Sequence, residues 1–245
     1  MGKRKDHLKR LASPKSWPIK KKGIKWVKRP FPGPHSFELG LPITIVLREM
    51  LGYGKTLKEV RSILNNKEIL VDGIIRKDPK FIVGLMDVIS VPKLDKNFRI
   101  LINKKGKLSL IEITKEEAKL KPCKIIGKTV IKRKIQLNFM DGKNILIEKC
   151  PYKVNDTLLL EVPSQKIKDH FKLEKNNMIY LIGGKHIGKI GILQDIKREK
   201  LFYKEEKDNF ETLKSYAFVI GKDKPSITFA KEKQEKDKED IKQKK

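Results

Sequence analysis

Two features of this sequence could do chemistry: one glycine-lysine run near the C-terminus, and a large excess of lysine. The run is Gly183 to Leu193, GGKHIGKIGIL. From Gly183 to Lys189 it spells G-x-x-x-x-G-K, a loop whose backbone N–H groups cradle nucleotide phosphates while its Lys reaches the outer oxygens. Phosphoryl chemistry also needs a hydroxyl for Mg²⁺ at the next position, and a helix that begins there and aims its N-terminal dipole at the phosphates. That next residue is Ile190, which has no oxygen to offer. The residues that follow, Ile190-GILQDI, carry no helical stripe and place Gly191 in what would be the first turn, so they read as a strand. No acid stands convincingly at the end of a downstream apolar strand to complete a metal site. A nucleotide partner is not expected, and the glycines are left to shape a turn between strands.

The lysines point elsewhere. Among 245 residues, 58 Lys and Arg face 30 Asp and Glu, a formal net charge of +28, and the pI is near 9.9. An enzyme of a small acidic substrate does not need that excess. A protein seated on a polyanion does, because each neutralised phosphate releases condensed counterions. Lipid headgroups are the other candidate polyanion. However, no apolar run approaches the roughly 20 residues that span a bilayer, and mean hydropathy is -0.50. The start, MGKRKDHLKRLASPKSW, lacks the apolar stretch of a secretory leader. Nucleic acid is the expected partner, and a membrane is not. Cys123 and Cys150 are too few for a paired-thiolate zinc site; they read as small thiols in a reducing compartment, with a disulfide between them left open. His7, His35, His170 and His186 have no ligand partner at helical spacing, so neither a metal nor another cofactor is expected.

The charge is densest at the start. From Lys3 to Arg29 there are twelve Lys or Arg and one acid, Asp6. The cations are Lys3, Arg4, Lys5, Lys9, Arg10, Lys15, Lys20, Lys21, Lys22, Lys25, Lys28 and Arg29, accompanied by His7. Trp17, Trp26 and Phe31 interrupt them. Lysines can hold phosphates while planar rings stack on unpaired bases, so this mixture suits RNA. Five prolines between Pro14 and Pro34 break regular structure, and an arm of this sort is expected to order as RNA assembles around it.

Elements that could position such residues follow. Pro42 suits the first turn of a helix carrying Ile43, Val46, Leu47, Met50 and Leu51 and ending at Gly52. Thr56 and Glu59 form a capping box for a second helix with Leu57, Val60, Ile63 and Leu64 inside. Asp72-Gly73 joins two β-rich runs into a hairpin. The outer face of this unit would carry Arg48, Lys55, Lys58, Arg61, Lys67 and Arg76, whose shared sign marks it for RNA. Alternating apolar residues between Asn97 and about Phe171 predict a small, mostly antiparallel β domain. Met178-IYLI then predicts the strand before the glycine run. Lys231 to Lys245 alternates Lys with acids and cannot bury a core.

The run His7-Leu-Lys9-Arg10-Leu11-Ala-Ser-Pro14-Lys-Ser-Trp17-Pro-Ile19 resembles the signature of the ribosomal protein S-four-e family, found in small subunits of archaea and eukaryotes. Residues 41 to 92 are similar to an S-four RNA-binding domain, with Asp72-Gly73 and Met86-Asp87 standing where the domain has Asn-Gly and Gly-Asp. Where many such domains place an Arg after the capping hydroxyl, Leu57 stands, which shifts any RNA contact there to Lys58 or Arg61. Gly184, Gly188 and Gly191 resemble the KOW motif of small SH3-like barrels.

The resemblance implies an α+β multidomain chain. A basic N-terminal arm would span 1–40, an S-four (alpha-L) RNA-binding domain 41–95, and a central antiparallel β domain 96–172. A KOW SH3-like barrel would span 173–222, and a charged tail 223–245. It also implies a non-catalytic rRNA-binding protein of the cytoplasmic ribosome, with small-subunit rRNA and neighbouring small-subunit proteins as partners. Lys185, His186 and Lys189 would then project from the KOW loop toward RNA. The alternatives are an RNA-modifying enzyme carrying an S-four domain, such as a pseudouridine synthase, and a regulatory RNA-binding protein working off the ribosome.

Overall fold

The computed structural model describes residues 7–148, 150–205, 208–222 and 225–229. Lys3, Arg4 and Lys5 of the arm lie outside the described residues, as do tail positions 223, 224 and 230–245.

The arm is built into the body. Strand β1 (His7–Lys9) pairs antiparallel with β2 (Trp26–Lys28), closing the intervening chain into a loop. Leu8, Trp17, Ile19 and Val27 turn inward and join the largest core cluster. Composition alone suggested an arm ordered by its partner. The structure instead gives these four apolar side chains a place in the protein's own core, where their transfer from water favours a folded arm.

Strand β3 (Gly40–Pro42) leads into α1 (Ile43–Ile45), which widens into a π turn over Val46–Met50. Pro42 caps this helix, one position before the first turn expected for it. Gly52, at φ +70°, stops the segment, and Tyr53 N–H donates back to Leu47 O at 2.9 Å. Helix α2 (Leu57–Asn65) starts at the expected capping box. Thr56 Oγ1 accepts from Glu59 N–H at 3.3 Å, and the Glu59 carboxylate accepts from Lys55 N–H at 2.8 Å. Strands β4 (Leu70–Val71) and β5 (Ile74–Ile75) meet at Asp72 and Gly73, whose φ values of +49° and +71° are those of a two-residue hairpin turn.

Strand β6 (Ile82–Gly84) returns to β3, while β7 (Val88–Val91), β8 (Lys96–Ile102) and β9 (Leu108–Ile113) complete a sheet ordered β5-β4-β7-β8-β9. The boundary expected at residue 95 is not a break in this sheet. A 3₁₀ turn at Pro92–Leu94 and Asp95 at φ +53° fold β8 directly onto β7.

Helix α3 (Lys115–Ala118), capped by Thr114, precedes the central sheet of β10 (Leu120–Ile131), β11 (Lys134–Phe139), β12 (Asn144–Ile147), β13 (Thr157–Glu161) and β14 (Ile167–Phe171). Its order is β12-β11-β10-β13-β14. Five antiparallel strands follow: β15 (Met178–Leu181), β16 (Ile190–Lys197), β17 (Lys200–Glu205), β18 (Asp208–Leu213) and β19 (Ala217–Gly221). They are ordered β18-β17-β16-β15-β19. The main core does not stop at the first sheet, since Tyr180, Ile182, Phe218 and Ile220 belong to it. Tyr180 straddles the join, its hydroxyl donating to Ile102 O at 2.5 Å and accepting from Ile102 N–H at 2.7 Å.

Candidate nucleic-acid interface

The arm owes its shape to one buried guanidinium. Arg10 is 5% exposed. Its Nε donates to Ile24 O at 3.1 Å, Nη1 to Lys20 O at 2.9 Å, and Nη2 to the Glu49 carboxylate at 3.0 Å. Three directional bonds gather the loop around Arg10 and tie it to the end of the first helical segment. Burial alone would raise the Glu49 carboxyl, but hydrogen bonds from Arg10 and Arg48 hold it below its usual range. Trp17 is 1% exposed, donates Nε1–H to Gly40 O at 2.9 Å, and packs on Phe37. No face of it is open to a base. The stacking expected of Trp17, and the phosphate contact expected of Arg10, are therefore corrected: both side chains are spent on the fold.

The charge that the loop from Lys9 to Lys25 turns outward is cationic. Lys9, Lys15, Lys20, Lys22 and Lys25 are exposed and make no ion pair among the described residues. Lys21 is exposed too, its ammonium donating to Ser13 O and Oγ at 3.0 Å. Trp26 is 47% exposed beside His7 and the Lys25 ammonium, so of the arm's two tryptophans this is the open one. Lys28 and Arg29 are half-buried at the end of β2, with Arg29 over the Phe37 ring.

On α2, Lys58 and Arg61 face solvent, with Lys55 just before the cap. Arg48 is paired to Glu49 at 2.9 Å, and the Arg76 guanidinium carbon lies over the Phe81 ring at 4.4 Å. Both keep less freedom to meet a phosphate than α2 does.

The glycine run forms a turn between β15 and β16, and Ile190 opens a strand where a nucleotide loop would open a helix. Its glycines serve close approach to protein. Gly188 sits at φ +80°, where a Cβ would lie 2.3 Å from Asn103 O in the β8–β9 turn, and a Cβ on Gly183 would strike the Tyr216 ring at 2.5 Å. Of the three expected contacts, Lys185 is exposed. Lys189 is bound to Glu205 at 2.9 Å, and His186 packs at a tilt against Phe210.

Beneath these surfaces lies a charge network that the spacing of residues did not reveal. Lys121, 1% exposed on β10, reaches Asp72 at 2.7 Å and Asp141 at 2.9 Å, and also pairs with Asp87. Lys143 shares Asp72 at 2.8 Å, and His35 of the arm meets Asp87 at 2.8 Å. Gly84 makes that last contact possible, since a Cβ there would lie 2.4 Å from the His35 ring. Burial drives Lys121 downward, yet the three carboxylates hold it well above the usual lysine value. Burial likewise pushes Asp87 up, and His35 with Lys121 brings it well below the carboxylate range. Arm, first sheet and central sheet are locked at one point. Lys124, also on β10, donates to the carbonyls of Lys214, Ser215 and Ala217 and so ties in the C-terminal sheet; burial pulls it down to about 8. Asp72-Gly73 was legible as a turn and Met86-Asp87 through the family resemblance, but no local pattern links them to Lys121.

Three family models match the chain: the RS4NT domain over residues 1–38, the S4 domain over 44–89, and ribosomal family S4e over 94–167. Small ribosomal subunit protein eS4 of Methanosphaera stadtmanae is 46% identical over 93% of this chain and 97% of its own length. The protein of the same name from Methanocella arvoryzae is 40% identical over 91% and 97%. The crystal structure of 30S ribosomal protein S4e from Thermoplasma acidophilum superposes with a TM-score of 0.67 at 30% identity, covering 75% of this chain and 96% of that one. With a folded basic arm, an S4 domain and likeness along almost its whole length, this chain belongs to the small ribosomal subunit protein eS4 family.

Proposed function

We propose that this protein is a structural, non-catalytic component of the small ribosomal subunit, working in the cytoplasm by binding and stabilising small-subunit rRNA beside neighbouring subunit proteins. The observation that carries the reading is the division of labour in the arm. Arg10, Trp17 and the apolar residues fix its shape, and Lys9, Lys15, Lys20, Lys22 and Lys25 face outward without acidic partners among the described residues. Such lysines meet phosphates at fixed spacing, so they position the protein on RNA without reading sequence. Trp26 supplies a stacking surface, and Lys55, Lys58 and Arg61 extend the cationic surface onto the S4 domain. Lys3, Arg4 and Lys5 add charge ahead of β1. In this reading the last five-stranded sheet is the KOW SH3-like barrel, contributing Lys185 to RNA and its glycines to packing. Domain limits at 1–40, 41–95, 96–172 and 173–222 describe it, with the tail at 223–245 and the β8–β9 pair shared across the second boundary.

The test uses substitution rather than deletion, because removing the arm would also remove Trp17 from the core. The quadruple variant Lys15→Gln, Lys20→Gln, Lys22→Gln and Lys25→Gln keeps every inward contact. Binding to small-subunit rRNA is measured across a salt series. The log K against log salt slope should shallow by about 3 if all four lysines sit on phosphates, at roughly 0.7–0.9 per contact. An unchanged slope, with the protein folded, would take the arm off the RNA.

A further inference from the structure

The β10–β11 hairpin ends in a cationic tip that neither the arm nor the S4 domain accounts for, and we propose that it is a separate rRNA contact, inserted against the phosphate backbone. This inference rests on the ribosomal reading above and adds a second site to it.

Strand β10 is 12 residues long. Its first five residues pair with β13 over the central core, from Leu120↔Glu161 to Lys124↔Thr157. After an irregularity between Ile125 and Gly127 it pairs with β11 alone. From Lys128 to Lys134 every residue is exposed. The hairpin's outer half thus leaves the body, and the apolar residues it carries gain little from the core: Val130 is 76% exposed and Ile131 39%.

The turn itself is the second observation. Ile131 pairs with Lys134, so Lys132 and Arg133 form a two-residue tip at φ +45° and +68°. Asn-Gly and Asp-Gly suit that conformation, because a residue with an ordinary β-carbon is strained at positive φ. The same chain uses Asp72-Gly73 at the two-residue turn between β4 and β5. At the β10–β11 tip it places two long cations in the positions that Asn-Gly would fill with less strain. With Lys128 and Lys134 the outer hairpin carries four cations, and the one ion pair they make among the described residues is Lys134 with Glu148 at 3.0 Å. Lys128, Lys132 and Arg133 have no ion pair among the described residues. Charge of one sign on a projecting, locally strained turn is complementary to a phosphate backbone. The flanking Val130 and Ile131 suit the sugar edge of a groove, where apolar contact accompanies phosphate pairing.

The test is the double variant Lys132→Asn with Arg133→Gly, which improves the turn while removing both charges. The full-length protein is titrated with small-subunit rRNA across a salt series, and its Tm is measured. The Tm should hold or rise, affinity at moderate salt should fall at least tenfold, and the salt slope should shallow by nearly 2. A second variant, Lys128→Gln with Lys134→Gln, sits in regular strand and should shallow the slope without altering the turn. If wild-type protein binds rRNA and both variants keep its affinity and slope, the tip is not on RNA; a contact with a neighbouring protein would give that result and overturns the inference. If wild-type protein does not bind rRNA at all, the failure belongs to the ribosomal reading itself.

Discussion

Trp17 and Trp26 look alike in the sequence, each an aromatic among lysines, yet the structure gives them opposite surroundings. Trp17 is closed off by Phe37 and by its bond to Gly40 O, whereas Trp26 stays open beside Lys25 and His7. Trp17→Phe should destabilise the protein by about 1–3 kcal/mol, the cost of leaving a buried carbonyl without its donor. Trp26→Ala should leave Tm nearly unchanged and weaken rRNA binding several-fold. Thermal unfolding and a binding titration on the two variants separate the roles, and matching losses of Tm in both would contradict the assignment. Gly188 offers a second check. Its φ of +80° and the 2.3 Å approach a Cβ would make to Asn103 O leave backbone with nowhere to move. Gly188→Ala should therefore cost about 2 kcal/mol or more by denaturant unfolding. A neutral result would mean the turn does not seat on the β8–β9 hairpin.

Elements were legible wherever a local rule sufficed. The capping box at Thr56–Glu59, the Asp72-Gly73 turn and the strand after Ile190 all stand where their spacing put them. Composition misled where the decision was made at long range. Proline and lysine in the arm argued for an unpacked segment, but Arg10 reaches Glu49, 39 positions away, and Trp17 reaches Gly40. The change of pattern after Asp95 suggested a boundary, but β8 folds onto β7 across it.

Lys121 is the strongest case of long-range choice, since its three carboxylates come from two different sheets and their loops. Lys121→Met leaves those charges buried with Lys143 and His35 alone, and should cost about 3–5 kcal/mol near pH 7. The pH dependence has a definite sign. In the wild type, Asp87 and Asp141 are held below their ordinary values, so the unfolded chain takes up protons first as pH falls. Their contribution is complete above about pH 5 and is lost as acid carries the pH down through the folded values. In Lys121→Met the orphaned carboxyls should rise instead. That variant should regain part of its lost stability between pH 7 and pH 5, where Asp87 and Asp141 give the wild type no such gain. Parallel Tm curves for the two proteins over that range would show that the network is not coupled through Lys121.

At the scale of the whole molecule, the net charge of +28 announced a polyanion, and the arm's signature run named the family. The three-dimensional arrangement explains how such a chain keeps a shape despite its charge. Lys121 and its carboxylates are paired at the junction of the modules, the main core crosses from arm to C-terminal sheet, and the arm's lysines without ion pairs among the described residues are left on the outside. A protein organised this way has its surface ready for RNA, with much of the ordering cost already met by its own fold. The most direct test is sedimentation of cell extract through a gradient at moderate salt, with the protein followed across the fractions. It should travel with the small subunit, and washing with rising salt should release it only as phosphate contacts are screened. A protein that stays at the top of the gradient at moderate salt, while the other small-subunit proteins sediment, would contradict the ribosomal account and favour a role off the ribosome.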